Sequence, residues 1–306
     1  MRIIQSKNPR PLNLLAVGPG GLVATASSTF GVPGDVEVWD IASDIVRSPR
    51  LRGEREVTAL AFHLVDGFLY VGGPRTVHVF DVTNALNEVA DYPVGFAAVA
   101  VSPNRMHLLV AGGIHEDGDI TCLERNGPLF HRVWSVKIDP FFRYGTPTFN
   151  QDGSRVAAST HTGAGDRVKI TAQVRDAVTG QVFVSIPLDA ASPVKQLAFT
   201  ADGSKLLVRT DDRKVQLFDA TTGAAAGELV HPGRPFVSGI AVHPRGPVAC
   251  ARTNGTVTFW DADARQQLRT LDWKAGRLVS VAFSPDGALA AAGTEDGKIV
   301  VWDVDV

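Results

Sequence analysis

The sequence predicts an all-β fold made of seven similar sheets. One pattern recurs along the chain: an apolar run, a tight turn, a second apolar run, and an alternating run that closes on an aromatic residue and an acid. Spacings of 41, 43, 52, 43, 42 and 42 residues separate the closing acids, which are Asp40, Asp81, Glu124, Asp176, Asp219, Asp261 and Asp303. A period in the low forties with several short strands per unit is typical of propeller blades. We therefore predict a seven-bladed β-propeller with four-stranded antiparallel blades.

Each unit contains the signals of four strands. The first strand is apolar, as at 278–283, and a turn such as Asp286-Gly287 supplies the positive φ that a tight connection needs. The second strand is continuously apolar, as at 289–292, which suits a strand buried on both faces between neighbouring blades. The third strand alternates up to the closing acid, and the fourth is more polar, as expected at an outer edge.

The first residues of the chain are expected to close the ring. The seventh unit stops just past its third strand, and residues 2–5, Arg-Ile-Ile-Gln, form an additional strand that precedes the first unit. A closed sheet assembly leaves no long unpaired edge. We therefore expect the N-terminal strand to complete the last blade, within a single domain that spans residues 1–306.

Composition narrows the classes of function. A formal charge of −2 and a pI near 6.4 argue against a dedicated nucleic-acid binder, which usually carries a basic face. No apolar stretch at the start is long enough for a signal peptide or a membrane helix, so no membrane association is expected. Cys122 and Cys250 fall in apolar runs of distant units, which predicts buried free thiols and a cytoplasmic location.

The repeat unit resembles the WD40 repeat over essentially the full length. The most similar segments are Phe283-Ser-Pro-Asp-Gly287 and the run from Asp296 to Asp303. The Trp-Asp dipeptide is intact where Trp39, Trp260 and Trp302 precede closing acids, and it is softened to Phe-Asp in the second and fifth units. The resemblance implies a seven-bladed propeller that binds other proteins.

The family's buried tetrad is only partly present. In that family a tryptophan, a serine or threonine, a turn aspartate and the histidine of a Gly-His pair are hydrogen bonded within a blade. Trp302, Thr294 and Asp296 match three of these positions, but Trp273 falls where Gly-His would be, and Arg175 takes the tryptophan position of the fourth unit. We therefore expect apolar packing to contribute more of the stability.

Signals for catalysis are weak. The chain has no Gly-x-Ser-x-Gly elbow, no phosphate-binding Gly-Lys-Ser/Thr loop and no His-Glu-x-x-His motif. The run from His115 to Asp119 offers an imidazole and carboxylates, but five adjacent polar residues between strands are more often a solvated turn. We expect no metal, no cofactor and no enzymatic activity.

The repeats differ in length, and the excess indicates a binding face. From the last core residue of the first strand to the closing acid, the units measure 23, 19, 23, 27, 20, 19 and 20 residues. The extra residues of units one, three and four fall between the second and third strands and include Phe30, His115, His161 and Arg167. Insertions that map to one face of a repeat protein often form its binding face. His161 and Arg167 can equally be turn residues without a further role.

An aromatic cluster on the same predicted face is the strongest candidate contact. The link into unit four carries Phe141, Phe142, Arg143 and Tyr144, and aromatic and arginine side chains dominate interface energetics. The alternative is that one or two of these residues cover the edge of a blade. Trp273 can extend the surface. Arg252 stands at the Ser/Thr position of the tetrad and is another candidate. It is either a replaced member of the tetrad or a charged residue on the rim of the propeller, and we favour the rim.

The sequence thus favours a non-catalytic scaffold that binds a protein or peptide on its loop-rich face, either as a monomer or as a subunit of a larger complex. The alternative is a propeller hydrolase of the lactonase or esterase kind with an axial metal. A third class, sensing of a small ligand or phosphorylated motif, would depend on Arg143, Arg167 and Arg252.

Overall fold

The computed structural model describes residues 1–7, 9–27, 34–49, 51, 56–63, 67–93, 98–103, 107–112, 119–127, 129–137, 147–162, 169–189, 193–210 and 213–304. Within them, 28 strands form seven four-stranded antiparallel sheets, which confirms the predicted seven-bladed propeller. Their helical content is one 3-10 turn at Pro19–Gly21, and no helix in these ranges is long and apolar enough to cross a membrane.

The strands of each blade follow one another in the chain, from the channel outward. The first three blades contain β2 (Leu14–Val17), β3 (Leu22–Ala26), β4 (Val36–Asp40) and β5 (Ile45–Arg47); β6 (Ala59–Phe62), β7 (Phe68–Gly72), β8 (Thr76–Asp81) and β9 (Asn87–Pro93); and β10 (Ala98–Val101), β11 (His107–Gly112), β12 (Asp119–Asn126) and β13 (Leu129–Lys137). Blades four and five contain β14 (Thr148–Phe149), β15 (Arg155–Thr162), β16 (Lys169–Asp176) and β17 (Val182–Leu188); and β18 (Gln196–Phe199), β19 (Lys205–Arg209), β20 (Lys214–Asp219) and β21 (Ala225–Val230). The last two contain β22 (Val237–Val242), β23 (Val248–Arg252), β24 (Thr256–Asp261) and β25 (Gln266–Asp272); and β26 (Leu278–Phe283), β27 (Leu289–Thr294), β28 (Lys298–Asp303) and the N-terminal β1 (Arg2–Gln5).

The N-terminal strand completes the last blade, as the sequence predicts. β1 pairs antiparallel with β28, from Arg2 opposite Val301 to Gln5 opposite Lys298. Ile4 is buried between blades seven and one, in an apolar cluster with Leu12 and Trp39 among others. The ends of the chain therefore share one sheet, and the ring closes through pairing as well as packing.

The up-and-down order of each blade gives the propeller two different faces. Links between blades and turns between second and third strands lie on one side, which we call the loop-rich face. Turns between first and second strands and between third and fourth strands lie on the other, which we call the opposite face. This assignment follows from the antiparallel pairing within every sheet.

The core lies between blades. In blade seven Ala290, Ala291 and Ala292 are fully buried, and in blade five Leu206 and Leu207 are as well. These second strands are covered on both faces because a neighbouring blade packs on each side. The continuous apolar runs in the sequence have this cause.

The repeated aspartates hold turns on the opposite face. The Oδ1 atom of Asp261 accepts the N–H groups of Asp263 at 2.8 Å and Ala264 at 2.9 Å. The same pair of bonds occurs at four other closing acids: Asp40, Asp81, Asp176 and Asp219. These acids recur in the sequence because each one supplies the acceptor that closes the same turn.

Candidate functional site

The inner strands surround a central channel whose described part has a volume of about 390 Å³. Polar side chains of these strands bond to the next blade. Gln196 of blade five accepts the Ile240 N–H at 2.9 Å, and the Ser238 hydroxyl donates to a backbone carbonyl of blade seven at 2.8 Å. Across the seam of the ring, the Ser280 hydroxyl donates to the Leu12 carbonyl at 2.5 Å. These bonds fix the relative positions of neighbouring blades.

Two cations face the channel. Lys195 and Arg209 are the charged residues in its described lining. The Arg209 guanidinium donates to the Val237 carbonyl at 3.3 Å and to the Gln196 side chain at 3.4 Å. The described lining includes no carboxylate or imidazole, and no group of three or more His, Cys, Asp or Glu residues in the described ranges is arranged to hold a metal ion. The described channel thus presents positive charge and hydrogen-bond donors to an incoming group.

Among the described residues, the second and third strands of blade four pair further towards the loop-rich face than those of blades three and five. In blade five the β19–β20 pairing ends at Arg209 opposite Val215. The equivalent pair in blade four is Ser159 opposite Ala172, and three more pairs follow, including His161 opposite Ile170. At about 3.3 Å per residue, the β15–β16 hairpin extends roughly 10 Å beyond the blade-five hairpin.

The base of this extension is packed. Ile170 is 3% exposed and belongs to an apolar cluster that includes Val194 and Leu197 of blade five. Thr160 is also buried, and its hydroxyl donates to the Thr171 carbonyl at 3.4 Å. The base of the longer hairpin is therefore held against blade five.

The structure places three of the predicted contact residues. His161 belongs to β15 in the extended hairpin, and Trp273 and Arg252 lie in or next to blade six. The other predicted contacts lie outside the described residues: Phe30, His115, Phe141, Phe142, Arg143, Tyr144 and Arg167.

The expectation of a rim charge at Arg252 does not agree with the structure. Its side chain is buried, with 5% exposed, and Nη2 donates to the carbonyls of Pro232 at 2.7 Å and Pro235 at 3.5 Å. Both carbonyls belong to the link between blades five and six. Arg252 therefore anchors that link from inside, and its covered guanidinium is removed from the set of candidate partner contacts.

Trp273 packs against the last blade. Its ring lies 4.5 Å from that of Trp302, at an angle of 40°. In the same blade the Thr294 hydroxyl donates to Asp296 Oδ1 at 2.6 Å, while Trp302 Nε1 has no hydrogen-bond partner among the described residues. Trp302 is therefore held by its contact with the Trp273 indole and takes no part in a hydrogen-bonded tetrad. Trp273 remains partly exposed, so one side of it is available at the loop-rich face.

Other blades hold the closing residue by a bond that the sequence analysis missed. Trp39 Nε1 donates to Glu37 Oε2, and Trp260 Nε1 donates to Thr258 Oγ1, both at 3.2 Å. Arg175 donates at 2.5 Å to the side chain two residues earlier in its strand. Residues two apart in a strand share one face. A polar residue two positions before the closing aromatic residue could therefore have predicted this hydrogen bond from the sequence.

A buried histidine extends this arrangement in blade six. His231 is 3% exposed; its Nδ1 lies 3.2 Å from Thr258 Oγ1, and its ring lies 4.8 Å from that of Trp260. Burial, with a smaller contribution from Arg252, lowers the pKa of His231 to about 4. The imidazole is therefore neutral at physiological pH and acts as a structural hydrogen-bonding group.

A second buried histidine joins two turns on the opposite face. The backbone N–H of Arg245 donates to His243 Nδ1 at 3.0 Å, so Nε2 carries the proton and donates to the Gly287 carbonyl at 3.0 Å. Gly287 lies in the first turn of blade seven. His243 is therefore a structural residue between blades six and seven.

Comparison with known proteins agrees with this fold. A family model described as "WD domain, G-beta repeat" matches residues 265–303, which contain β25 to β28. Protein LST8 homolog from Drosophila melanogaster is 25% identical over 112 residues, which cover 36% of this chain and 36% of that protein. Pre-mRNA-processing factor 19 homolog 2 from Arabidopsis thaliana is 25% identical over 142 residues, or 45% of this chain and 27% of that protein.

A third relative, Periodic tryptophan protein 2 homolog from Schizosaccharomyces pombe, is 33% identical over 75 residues, which cover 24% of this chain and 9% of that protein. The matched segments thus span little more than a third, or less, of the length of these relatives.

Solved structures match over the whole chain. The β-propeller domain of Myceliophteria thermophila Cps50 (Swd1) superposes with a TM-score of 0.76 and 18% identity, covering 99% of this chain and 100% of that one. A chain in the crystal structure of the Mitotic Checkpoint Complex gives a TM-score of 0.77, also at 18% identity, covering 100% of this chain and 91% of that one. The chain is therefore a seven-bladed β-propeller, and its match to the WD repeat spans the outer strand of blade six and three strands of blade seven, as the resemblance predicts.

Proposed function

We propose that this protein is a non-catalytic scaffold that binds a protein or peptide partner on its loop-rich face. The observation that carries the proposal is the extended hairpin of blade four, whose three additional pairs break the seven-fold regularity on that face. In the other blades the described pairing between the second and third strands ends earlier. Those blades take their places in the ring without a projection, so closure of the ring does not require one. An asymmetric projection with a packed base suits the recognition of a particular partner.

The scaffold suits this role because little has to be ordered on binding. The ring is closed by β1, the blades are joined by channel-side hydrogen bonds, and Ile170 fixes the base of the projection. Partners bind more tightly to surfaces that are already held in place, since less conformational entropy is lost.

The names of related proteins support an interaction role. Actin-interacting protein 1-2 from Arabidopsis thaliana is 28% identical over 115 residues, and one similar structure is a chain of the Mitotic Checkpoint Complex. Association with other proteins is what those names state of those proteins. Its extension to this chain, on the loop-rich face, is our proposal.

Within that face we propose that the aromatic link into blade four supplies the anchors. The four residues of that link, Phe141, Phe142, Arg143 and Tyr144, precede the projecting hairpin in the chain. Phe30, His115 and Arg167 stand in the long turns of units one, three and four, and His161 lies within the projection itself. Large aromatic and arginine side chains contribute most of the binding energy in typical interfaces.

An affinity capture from lysate of the source organism tests the proposal. The wild type is compared with the triple variant Phe141→Ala/Phe142→Ala/Tyr144→Ala. The matched control is Leu129→Ala/Val182→Ala/Phe183→Ala, which removes three apolar side chains that are 62%, 43% and 53% exposed on the outer strands of blades three and four. All three proteins must first melt at similar temperatures.

The expected result is a partner that the wild type and the control retain and the triple variant loses. A partner held equally by all three proteins would contradict the placement on the loop-rich face. If no protein is captured and the purified chain hydrolyses an ester in a chelator-sensitive way, the scaffold proposal is wrong and the hydrolase alternative replaces it.

We also propose that the protein acts in the cytoplasm. Cys122 and Cys250 are both buried and unpaired, and burial raises the pKa of each thiol to about 12. Free structural thiols are typical of reducing compartments. Fractionation of source cells should recover the chain with cytoplasmic markers, and recovery from an oxidising compartment would contradict the proposal.

A further inference from the structure

A separate cleft lies on the opposite face, between blades five and six. Its volume is about 490 Å³, and three turns form its walls: residues 200–202, residues 244–247 and residues 261–263. Leu268, on the outer strand β25, completes the lining at the rim. Every lining residue is described, and the cleft is on the other side of the ring from the loop-rich face.

The lining departs from the repeat at two positions. In the turn between the first and second strands, four units have an aspartate immediately before the glycine, whereas unit six has Arg245. Two residues after the closing acid, five of the other six units have an uncharged residue, whereas unit six has Asp263. Positions at which one repeat differs from its siblings reflect local demands that the common fold does not impose.

The turn itself does not explain Arg245. In the three described turns of this type the aspartate closes the turn: the Oδ1 atoms of Asp152, Asp202 and Asp286 each accept the backbone N–H of the residue two positions later. In unit six His243 performs this task, because its Nδ1 accepts the Arg245 backbone N–H. The Arg245 side chain is therefore available to the cleft, and it is exposed there.

The carboxylates of the cleft are held in place. The Thr200 hydroxyl donates to Asp202 Oδ1 at 2.6 Å, and two turn amides donate to Asp261 Oδ1. The Thr200 hydroxyl is the main cause that lowers the pKa of Asp202 to about 2. Both groups are thus preorganised acceptors at the wall of the cleft.

The charge of the cleft is negative on balance. Three aspartates face it, against the guanidinium of Arg245. Lys205 of blade five forms an ion pair with Asp263 and so neutralises one of the three. Arg245 also lies near Asp286 of blade seven, whose pKa is lowered mainly by Ser284 and least by this guanidinium. The carboxylates of Asp202 and Asp261 therefore keep an excess of negative charge.

An apolar contact stands beside these charges. Leu268 is 54% exposed on the outer strand, although most neighbours on that strand are polar or charged. Pro244, Pro247 and Ala262 are further apolar residues in the lining of the cleft. Concave sites with a few fixed polar groups and an apolar wall are the usual form of a peptide-binding groove.

We propose that this cleft binds a short extended segment of a partner chain in which a lysine or arginine stands next to a bulky apolar residue. The basic group lies against Asp202 and Asp261, and the apolar side chain covers Leu268. The Arg245 guanidinium donates to carbonyls of the segment backbone. Because this site and the loop-rich face lie on opposite sides, the propeller can hold two partners at once.

Selection from a phage-displayed library of short random peptides tests the inference. The immobilised baits are the wild-type chain, Leu268→Asp, and the control Leu129→Asp, which makes the same change at a leucine that is 62% exposed on the outer strand of blade three. Both substituted leucines are exposed, so the variants should melt like the parent. Peptides selected on the wild type should be enriched in a basic residue adjacent to an apolar one.

Synthetic copies of those peptides should bind Leu268→Asp about ten- to a hundredfold more weakly, as expected for one lost leucine contact, and bind Leu129→Asp unchanged. The double variant Asp202→Asn/Asp261→Asn keeps a side-chain oxygen at each turn to accept the backbone N–H groups, and it should lose the preference for basic residues. Binding to the wild type should also weaken as salt is raised.

Three results would overturn the inference: no enrichment of basic residues, equal binding to Leu268→Asp and the wild type, or no selected peptide at all. None of them bears on the loop-rich face, because the cleft variants leave that face unchanged. Peptides that bind Leu268→Asp as well as the parent but fail on Phe141→Ala/Phe142→Ala/Tyr144→Ala would instead belong to the proposed partner site.

Discussion

Because β1 closes the ring, shortening the Ile4 side chain should lower the stability of the whole propeller. Ile4 is 7% exposed and packs in one apolar cluster with residues of blade one and of β28, whereas Ile3, its neighbour in the strand, is 44% exposed. Ile4→Ala should lower the free energy of unfolding by about 2–5 kcal/mol, because it removes buried carbons and leaves a cavity. Ile3→Ala, the matched control, should cost about 0.5 kcal/mol or less.

Urea unfolding followed by tryptophan fluorescence is the direct assay, because Trp39 belongs to the same cluster as Ile4. The midpoint should fall while the slope with urea stays constant, since the exposed surface of the folded chain barely changes. In a thermal melt, an unfolding entropy of about 2.1 cal/mol/K per residue over 306 residues converts that loss into a shift of about 3–8 °C.

Equal effects of Ile3→Ala and Ile4→Ala would refute this reasoning, because the two side chains would then be equally buried. A cost below about 0.5 kcal/mol for Ile4→Ala would show that β1 is not packed between the last and first blades. Deletion of residues 1–6 is the more severe form of the test and should lower the melting temperature by more than Ile4→Ala does.

Three further predictions concern single residues. Trp302→Ala should cost about 3–5 kcal/mol in urea unfolding, while Trp302→Phe should cost much less because no bond from Nε1 is lost. Since the pKa of His231 is about 4 in the folded chain against an ordinary 6.5, the unfolded chain binds the extra proton between these values. Stability should therefore fall as the pH drops from 6.5 towards 4, and melts of His231→Gln over that range should show a smaller decline. Gly293→Ala should cost about 1–3 kcal/mol, because a Cβ there would lie 2.5 Å from the Leu12 carbonyl oxygen at the seam of the ring; an unchanged urea midpoint would show that the seam has room for it.

The fold was readable from the sequence because each blade repeats the same local requirements. The turns need an aspartate acceptor and a glycine with positive φ, as at Asp286 and Gly287, and the second strand needs apolar residues on both faces. Each requirement involves only a few neighbouring residues, so the same residue types recur once per blade along the sequence. Ring closure was also predictable, since the last unit lacked one strand and the first residues supplied it.

The buried polar groups were harder to predict because their partners are distant or replaced. Arg252 is buried because the carbonyls of Pro232 and Pro235 converge on it, and nothing local indicates that convergence. The bonds from Trp39 to Glu37 and from Trp260 to Thr258 were within reach, because two-residue spacing places both side chains on one face.

The cleft between blades five and six was equally hidden from the sequence. Its walls come from turns of two blades, and a sequence read one repeat at a time does not bring them together. The unusual Arg245 and Asp263 were visible, but their significance depends on a concave surface that only the folded ring provides.

Hydrogen–deuterium exchange of the propeller alone and with its captured partner tests the central claim most directly. We predict slower exchange on binding in peptides that cover 138–147 and 160–171, which are the link into blade four and the tip of its extended hairpin. Exchange on the outer strands, such as β17 and β21, should remain the same. Protection confined to the outer strands or to turns of the opposite face would contradict the proposal that the loop-rich face receives the partner.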